Sequence, residues 1–235
     1  MASPRRILIT GAGRGIGLEI ARQAAARGDE VVAAVRHPSA PGLVELAAAH
    51  PPGAVRTEML DVTDPASCAA LAARLEAAGE ALDLLVCNAG IYLGRGKLGD
   101  PVFPAEAWAE TFAVNVAGVF LTVEALLPRL ARPGGKIAVI SSQMGGSGRA
   151  PGANYIYRAS KAAATNLARN LAADLAPEGV AVGAYHPGWV RTDMGGSGAD
   201  IPVEESAAGL LARFDALGPE TTGAFESYDG TPLPF

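Results

Sequence analysis

The stretch that most constrains this chain runs from Arg5 to Arg27. Arg5-Arg6-Ile7-Leu8-Ile9-Thr10 reads as a short buried strand, and it runs straight into Gly11-Ala12-Gly13-Arg14-Gly15-Ile16-Gly17. A helical run, Leu18 to Arg27, follows and stops at Gly28. A glycine turn between a strand and a helix brings backbone close to a phosphate group. The helix amino end adds unpaired N–H groups and the positive end of its dipole. Glycines at 11, 15 and 17 give the spacing G-x-x-x-G-x-G. Tight turns need glycine anyway, so the flanking strand and helix are what make this a dinucleotide-binding pattern.

Further along, strand and helix signals alternate. Strands are predicted at Glu30–Val35, Val55–Leu60, Leu82–Cys87, Gly135–Ile140, Val180–Tyr185 and Gly223–Ser227. Several are nearly continuous apolar runs, as in a parallel sheet covered on both faces. Helices are predicted from Leu43 to Ala49, from the Asp64-Pro65 start to about Ala78, from Pro104 to about Leu130, from Tyr157 to about Asp174 and from Pro202 to Leu217. Ile91 to Phe103 reads as an irregular loop, and Gly195 to Asp200 as a small-residue stretch suited to a lid. The expectation is one α/β domain over residues 1–235, a Rossmann-type doubly wound parallel sheet of about seven strands with helices on both faces.

Composition excludes several classes. At 235 residues, 49% of them hydrophobic, the chain can bury a full core. A net charge of −5 with no Lys/Arg block argues against nucleic acid. No apolar run reads as long enough to span a bilayer. The four-residue apolar stretch before Gly11 is too short for a signal-peptide core. Cys68 and Cys87 show no metal-like spacing, so a reducing, cytoplasmic setting without a metal is expected.

Residues at the strand ends suggest which cofactor fits. An acid after the second strand receives a free ribose 2′-hydroxyl, whereas arginine suits a 2′-phosphate. Here Arg36-His37 follows the strand with no acid, and Arg14 in the glycine turn is a second cation, which favours NADPH over NADH. Asp61-Val62 lies where an adenine edge would be met, and the small residues Asn88-Ala89-Gly90 let backbone pass close to cofactor.

Tyr157 and Lys161 are four apart on a predicted helix and therefore share a face. A lysine cation beside a phenol favours its ionised form and draws its pKa toward the working range of an acid catalyst. Alone, such a pair is more often just a tyrosine and a lysine on a helix face. Tyr155 is a rival two residues earlier but has no lysine at that spacing. Ser141 and Ser142 should face opposite ways if the strand continues through them. The three histidines are scattered and read as structural, while Trp189 and Met194 suit either a substrate wall or packing.

Taken together and in order, Thr10 to Gly17, Asp61-Val62, Asn88-Ala89-Gly90, Asn115, Ser142, Tyr157 with Lys161, and Pro187-Gly188 with Thr192 resemble the short-chain dehydrogenase/reductases over essentially the full length. The runs Tyr-Arg-Ala-Ser-Lys and His-Pro-Gly-Trp-Val-Arg-Thr-Asp-Met, with the Tyr-Asp-Gly-Thr-Pro ending, are similar to the C-factor and sniffer-like carbonyl reductase branch. Cys87 and Gly13 depart from the family pattern, where asparagine and serine are common.

The resemblance implies a catalytic set of Asn115, Ser142, Tyr157 and Lys161. Ser142 polarises the substrate carbonyl, Tyr157 donates the proton, Lys161 binds the nicotinamide ribose, and Asn115 holds a water that links Lys161 to solvent. It implies cofactor contacts from Gly11, Arg14, Gly15, Ile16, Arg36, Asp61, Val62, Asn88, Ala89, Gly90, Pro187, Gly188, Val190 and Thr192, with Tyr157 and Lys161. The expected activity is NADPH-dependent reduction of a small-molecule ketone, aldehyde or quinone by a homodimer or homotetramer. An NADPH-binding sensor of the same fold is the competing expectation.

Overall fold

The computed structural model describes residues 4–148 and 150–235. The first three residues of the amino end, read above for a leader, lie outside them. Seven strands form one sheet: β1 (Arg6–Thr10), β2 (Glu30–Val35), β3 (Val55–Met59), β4 (Leu84–Cys87), β5 (Lys136–Ile140), β6 (Ala181–His186) and β7 (Phe225–Ser227). Their order is β3-β2-β1-β4-β5-β6-β7, and every neighbouring pair is parallel. The chain builds outward from β1 to β3, then returns to the other side of β1. This reversal between β1 and β4 opens a crevice at the carboxyl ends of the strands.

Successive side chains on a strand point to opposite faces, and both faces here are apolar. Ile7, Ile9, Val31 and Ala33 meet α1 (Gly15–Ala26), α2 (Pro41–Ala48) and α7 (Val203–Ala216) through Ile20, Leu43, Leu210 and Phe214. Leu8, Val32, Leu85 and Val139 face α3 (Pro65–Ala77), α5 (Gly118–Leu126) and α6 (Tyr155–Leu175) through Leu71, Val123 and Ala168. On α6, Ala164, Ala168 and Ala172 repeat every fourth residue and let the helix approach the sheet closely.

The helix predicted over Pro104–Leu130 is interrupted. α4 (Ala105–Phe112) passes through one π-helical turn at Ala113–Ala117 into α5, and Leu127–Arg129 closes as a 3₁₀ turn. Taken as one helix, Ala105–Arg129 is long and apolar enough by length and composition to cross a membrane, unlike the expectation from the bare sequence. It carries the buried polar residues Thr111, Asn115 and Thr122 and packs against α3 and α6, with 39% of its most apolar window inside the protein. α6 begins at Tyr155 rather than Tyr157, after Ala153 and Asn154 in the left-handed region (φ 62° and 53°).

Candidate active site

The crevice is a cavity of about 410 Å³. Gly11, Arg14, Gly15, Ile16, Arg36, Asp61, Val62, Asn88, Ala89, Gly90, Tyr157, Lys161, Pro187 and Thr192 all line it. Gly188 and Val190 do not. Gly188 packs against Ile201 and Tyr228, and Val190 is buried in a single bridge to Ile201.

The glycine turn is shaped by close backbone contact. A Cβ on Gly11, whose φ is +67°, would sit 2.9 Å from the Ala89 Cα. One on Gly17 would lie 2.4 Å from the Asn88 amide nitrogen and 2.6 Å from the Gly11 carbonyl oxygen. Asn88 ties the turn to β4, donating to the carbonyls of Thr10 (2.9 Å) and Gly11 (3.2 Å). The Thr10 hydroxyl accepts from the Asn88 and Ala89 backbone N–H groups, both at 3.0 Å. No side chain caps the amino end of α1, so its first N–H groups remain available at the crevice. Together with the cations of Arg14 and Arg36, this wall fits a dinucleotide phosphate chain. Arg36 has no carboxylate within ion-pair distance among the described residues, whereas Arg14 bridges to Asp193 at 3.1 Å. The Asp61 carboxyl is held below its usual range, chiefly by the Thr63 hydroxyl and backbone N–H.

At the other end, α6 turns Tyr157 and Lys161 inward, both buried. Lys161 Nζ lies 5.6 Å from the Tyr157 ring centroid and donates to the Ile140 carbonyl at 2.8 Å. Ser141 and Ser142 face opposite ways. The Ser141 hydroxyl donates to the Lys161 carbonyl at 3.1 Å, inside α6, while the Ser142 hydroxyl is a hydrogen-bond partner of the Tyr157 phenol. Tyr155 is partly exposed and meets Phe103 edge-on at 5.5 Å.

Asn115 sits in the π-turn. Its side-chain oxygen accepts from the Ile91 N–H at 2.8 Å, and its amide donates to the Ile91 carbonyl (2.9 Å) and the Ser160 hydroxyl (3.0 Å). It thereby pins the end of β4 to α6. A Cβ on Gly90 would meet both the Asn115 oxygen (3.3 Å) and Lys161 Nζ (3.6 Å), so both groups border the space next to Gly90.

The electrostatics differ from the simple expectation for a tyrosine–lysine pair. Burial pushes the Tyr157 phenol up, the nearby Tyr92 adds to that, and Ser142 and Arg95 oppose it. Burial also lowers Lys161 to about 8. In the resting protein, desolvation is the largest cause of both shifts. His186 is likewise buried and lowered to about 4, which keeps it neutral and structural.

Sequence reasoning missed the residues around the phenol. Tyr92 stacks on Tyr157 with centroids 4.1 Å apart, and the Arg95 guanidinium lies 4.3 Å over Tyr92. Arg95 also donates to the Met194 carbonyl, joining the loop after β4 to the loop after β6. No local pattern links positions 92 and 157; only the position of Tyr92 four residues past Asn88 hinted at it. The Gly195–Asp200 stretch, read as a lid, is tied down. Trp189 donates to the Gly195 carbonyl, and Arg191 donates to those of Ala199 and Asp200. Met194 lines the crevice, and half-exposed Trp189 does not.

Comparison with known proteins agrees with this geometry. The chain is 37% identical over 232 residues to 1-hydroxy-2-glutathionyl-2-methyl-3-butene dehydrogenase of Rhodococcus sp. (strain AD45), covering 97% of this chain and 98% of that one. It is 40% identical over 157 residues to the C-signal protein of Myxococcus xanthus, covering 66% of this chain and 93% of that one. Its fold superposes on the NADPH-bound carbonyl reductase from chicken fatty liver with a TM-score of 0.87 at 33% identity, with both chains fully covered. Residues 5–200 match the family described as short chain dehydrogenase, and the chain belongs to that family of oxidoreductases.

Proposed function

We propose that this protein reduces the carbonyl group of a small or medium, largely apolar ketone, aldehyde or quinone with NADPH. Tyr157 and Lys161 both line the crevice, and the hydrogen bond between the Tyr157 phenol and the buried Ser142 hydroxyl carries the reading. When bound, NADPH supplies the hydride. Arg36 and Arg14 would hold its 2′-phosphate, the α1 amino end its pyrophosphate, and Asp61 with Val62 its adenine. The chicken-liver carbonyl reductase was solved with NADPH bound, which supports the same cofactor here.

The chain's own residues handle the proton. Burial keeps the Tyr157 phenol protonated across the physiological range, so it is a loaded proton donor. Ser142 polarises the carbonyl oxygen while Tyr157 delivers the proton to it. Lys161 acts where its charge matters most, on the phenolate that develops during transfer, instead of lowering the resting pKa of the phenol. Asn115 holds Ile91 and Ser160 in register, and its oxygen beside Lys161 offers a place for the water of a relay to solvent.

Two free, buried thiols fit a reducing cytoplasmic setting. Phe120, exposed on α5, fits a homodimer or homotetramer assembled through the long helices. The C-signal relative favours a second reading, an NADPH-dependent sensor that acts by binding.

One experiment separates the two: NADPH consumption across a carbonyl panel, with Tyr157→Phe as control. Reduction predicts turnover that falls about 10²- to 10⁴-fold in the variant while NADPH affinity stays near wild type. Turnover unaffected by the change, or none with any compound, overturns the enzymatic reading.

A further inference from the structure

We propose that Arg95 is a specificity-determining residue that selects, among otherwise apolar carbonyl substrates, those bearing one carboxylate or similar anion; this rests on the reading above and narrows it. The Arg95 guanidinium, Tyr92 ring and Tyr157 ring form a three-layer stack, with spacings of 4.3 and 4.1 Å. A fixed cation therefore stands two layers from the proton donor, on the side of the Ile91–Phe103 loop.

Its charge reaches the chemistry, since Arg95 opposes the upward push of burial on both Tyr92 and Tyr157. Arg158 acts on Tyr92 in the same sense, so two cations bear on this ring in a protein whose net charge is −5. Among the described residues no carboxylate lies within ion-pair distance of Arg95. Its Nη2 donates to the neutral Met194 carbonyl. Guanidinium carries five N–H donors in a planar fork matched to a carboxylate. A cation stacked on an aromatic ring and tethered to a crevice-lining loop loses little freedom on binding an anion.

Arg95 could instead serve only as a latch between the two loops, and the test must separate these roles. Wild type, Arg95→Gln and Arg95→Lys are compared with NADPH on 4-formylbenzoate and its methyl ester, the same aldehyde with and without charge. Wild type is expected to favour the acid in kcat/KM. Arg95→Gln should lower the acid-to-ester ratio about tenfold or more, through KM, and Arg95→Lys should restore part of it. Raising the salt concentration should erode the wild-type ratio. Equal losses on both substrates would reduce Arg95 to a latch and overturn the proposal, as would a wild type with no preference for the acid. Tyr157-dependent reduction of the ester without preference for the acid sinks this inference alone. Reduction of neither compound while other carbonyls of the panel are turned over also sinks this inference alone, and no turnover across the panel sinks the functional reading with it.

Discussion

The two ends of the crevice are built by different means. At the glycine turn the surface is backbone. Gly11 and Gly17 leave no room for a side chain, Asn88 locks the turn to β4, and α1 presents uncapped N–H groups. At the phenol end the surface is side chain. Tyr157, Tyr92, Arg95, Ser142 and Lys161 come from three separate segments and meet only in the folded protein. A backbone surface recognises what all substrates of such a protein share, the dinucleotide. A side-chain surface can change residue by residue while the frame stays put.

The largest effect expected from testing that contrast comes from Gly17→Ala. One methyl group would sit 2.4 Å from the Asn88 nitrogen and 2.6 Å from the Gly11 carbonyl oxygen, so backbone must move. Overpacking of this kind costs about 1–3 kcal/mol. Titration should show NADPH affinity falling roughly 10- to 100-fold. Affinity unchanged by the extra methyl would mean that the turn is compliant and the contrast false.

This division also explains what could be read before folding. Seven strands, their carboxyl-end residues and the glycine turn are written in local apolar runs and glycine spacing, and their positions shift by only a residue or two. α1 starts at Gly15, not Leu18: Gly15 enters it at a φ of +55°, a conformation glycine adopts freely, so the residue that reads as a turn also opens the helix. The π-turn at Ala113–Ala117 left no trace in the sequence. Alanine and valine fit an α-helix as well, and the turn coincides with the bonds Asn115 makes to Ile91, 24 residues away. Tyr92 and Arg95 were illegible for the same reason, since they act through a stack on a residue of another element. The sign of the Tyr157 shift also needed the fold, because sequence shows the neighbouring lysine but not the depth of burial.

The next effect is one of pH. Burial lowers Lys161 to about 8, so its ammonium predominates below that value and is lost above it, while Tyr157 stays protonated throughout. The quantity kcat/KM for NADPH reports groups of the free protein. It should be flat below about pH 8 and fall by up to about tenfold per unit above it. A falling limb with no relation to Lys161, unchanged in Lys161→Arg, would detach the lysine from cofactor capture.

The smallest effect bears on where the two ends touch. Arg14 belongs to the backbone-built wall, yet it is bridged at 3.1 Å to Asp193 of the loop that Arg95 holds from the other side. An incoming phosphate must compete with that carboxylate for the guanidinium. Both partners are highly exposed, 74% and 82%, so the pair contributes no more than a surface ion pair does. Asp193→Asn should therefore tighten NADPH binding by only about two- to fivefold, with a steeper weakening by salt as the released Arg14 meets phosphate directly. The same change should leave NADH affinity close to wild type if Arg14 reads the 2′-phosphate. Equal tightening of both cofactors would assign Arg14 to the pyrophosphate they share and leave Arg36 as the residue that tells them apart.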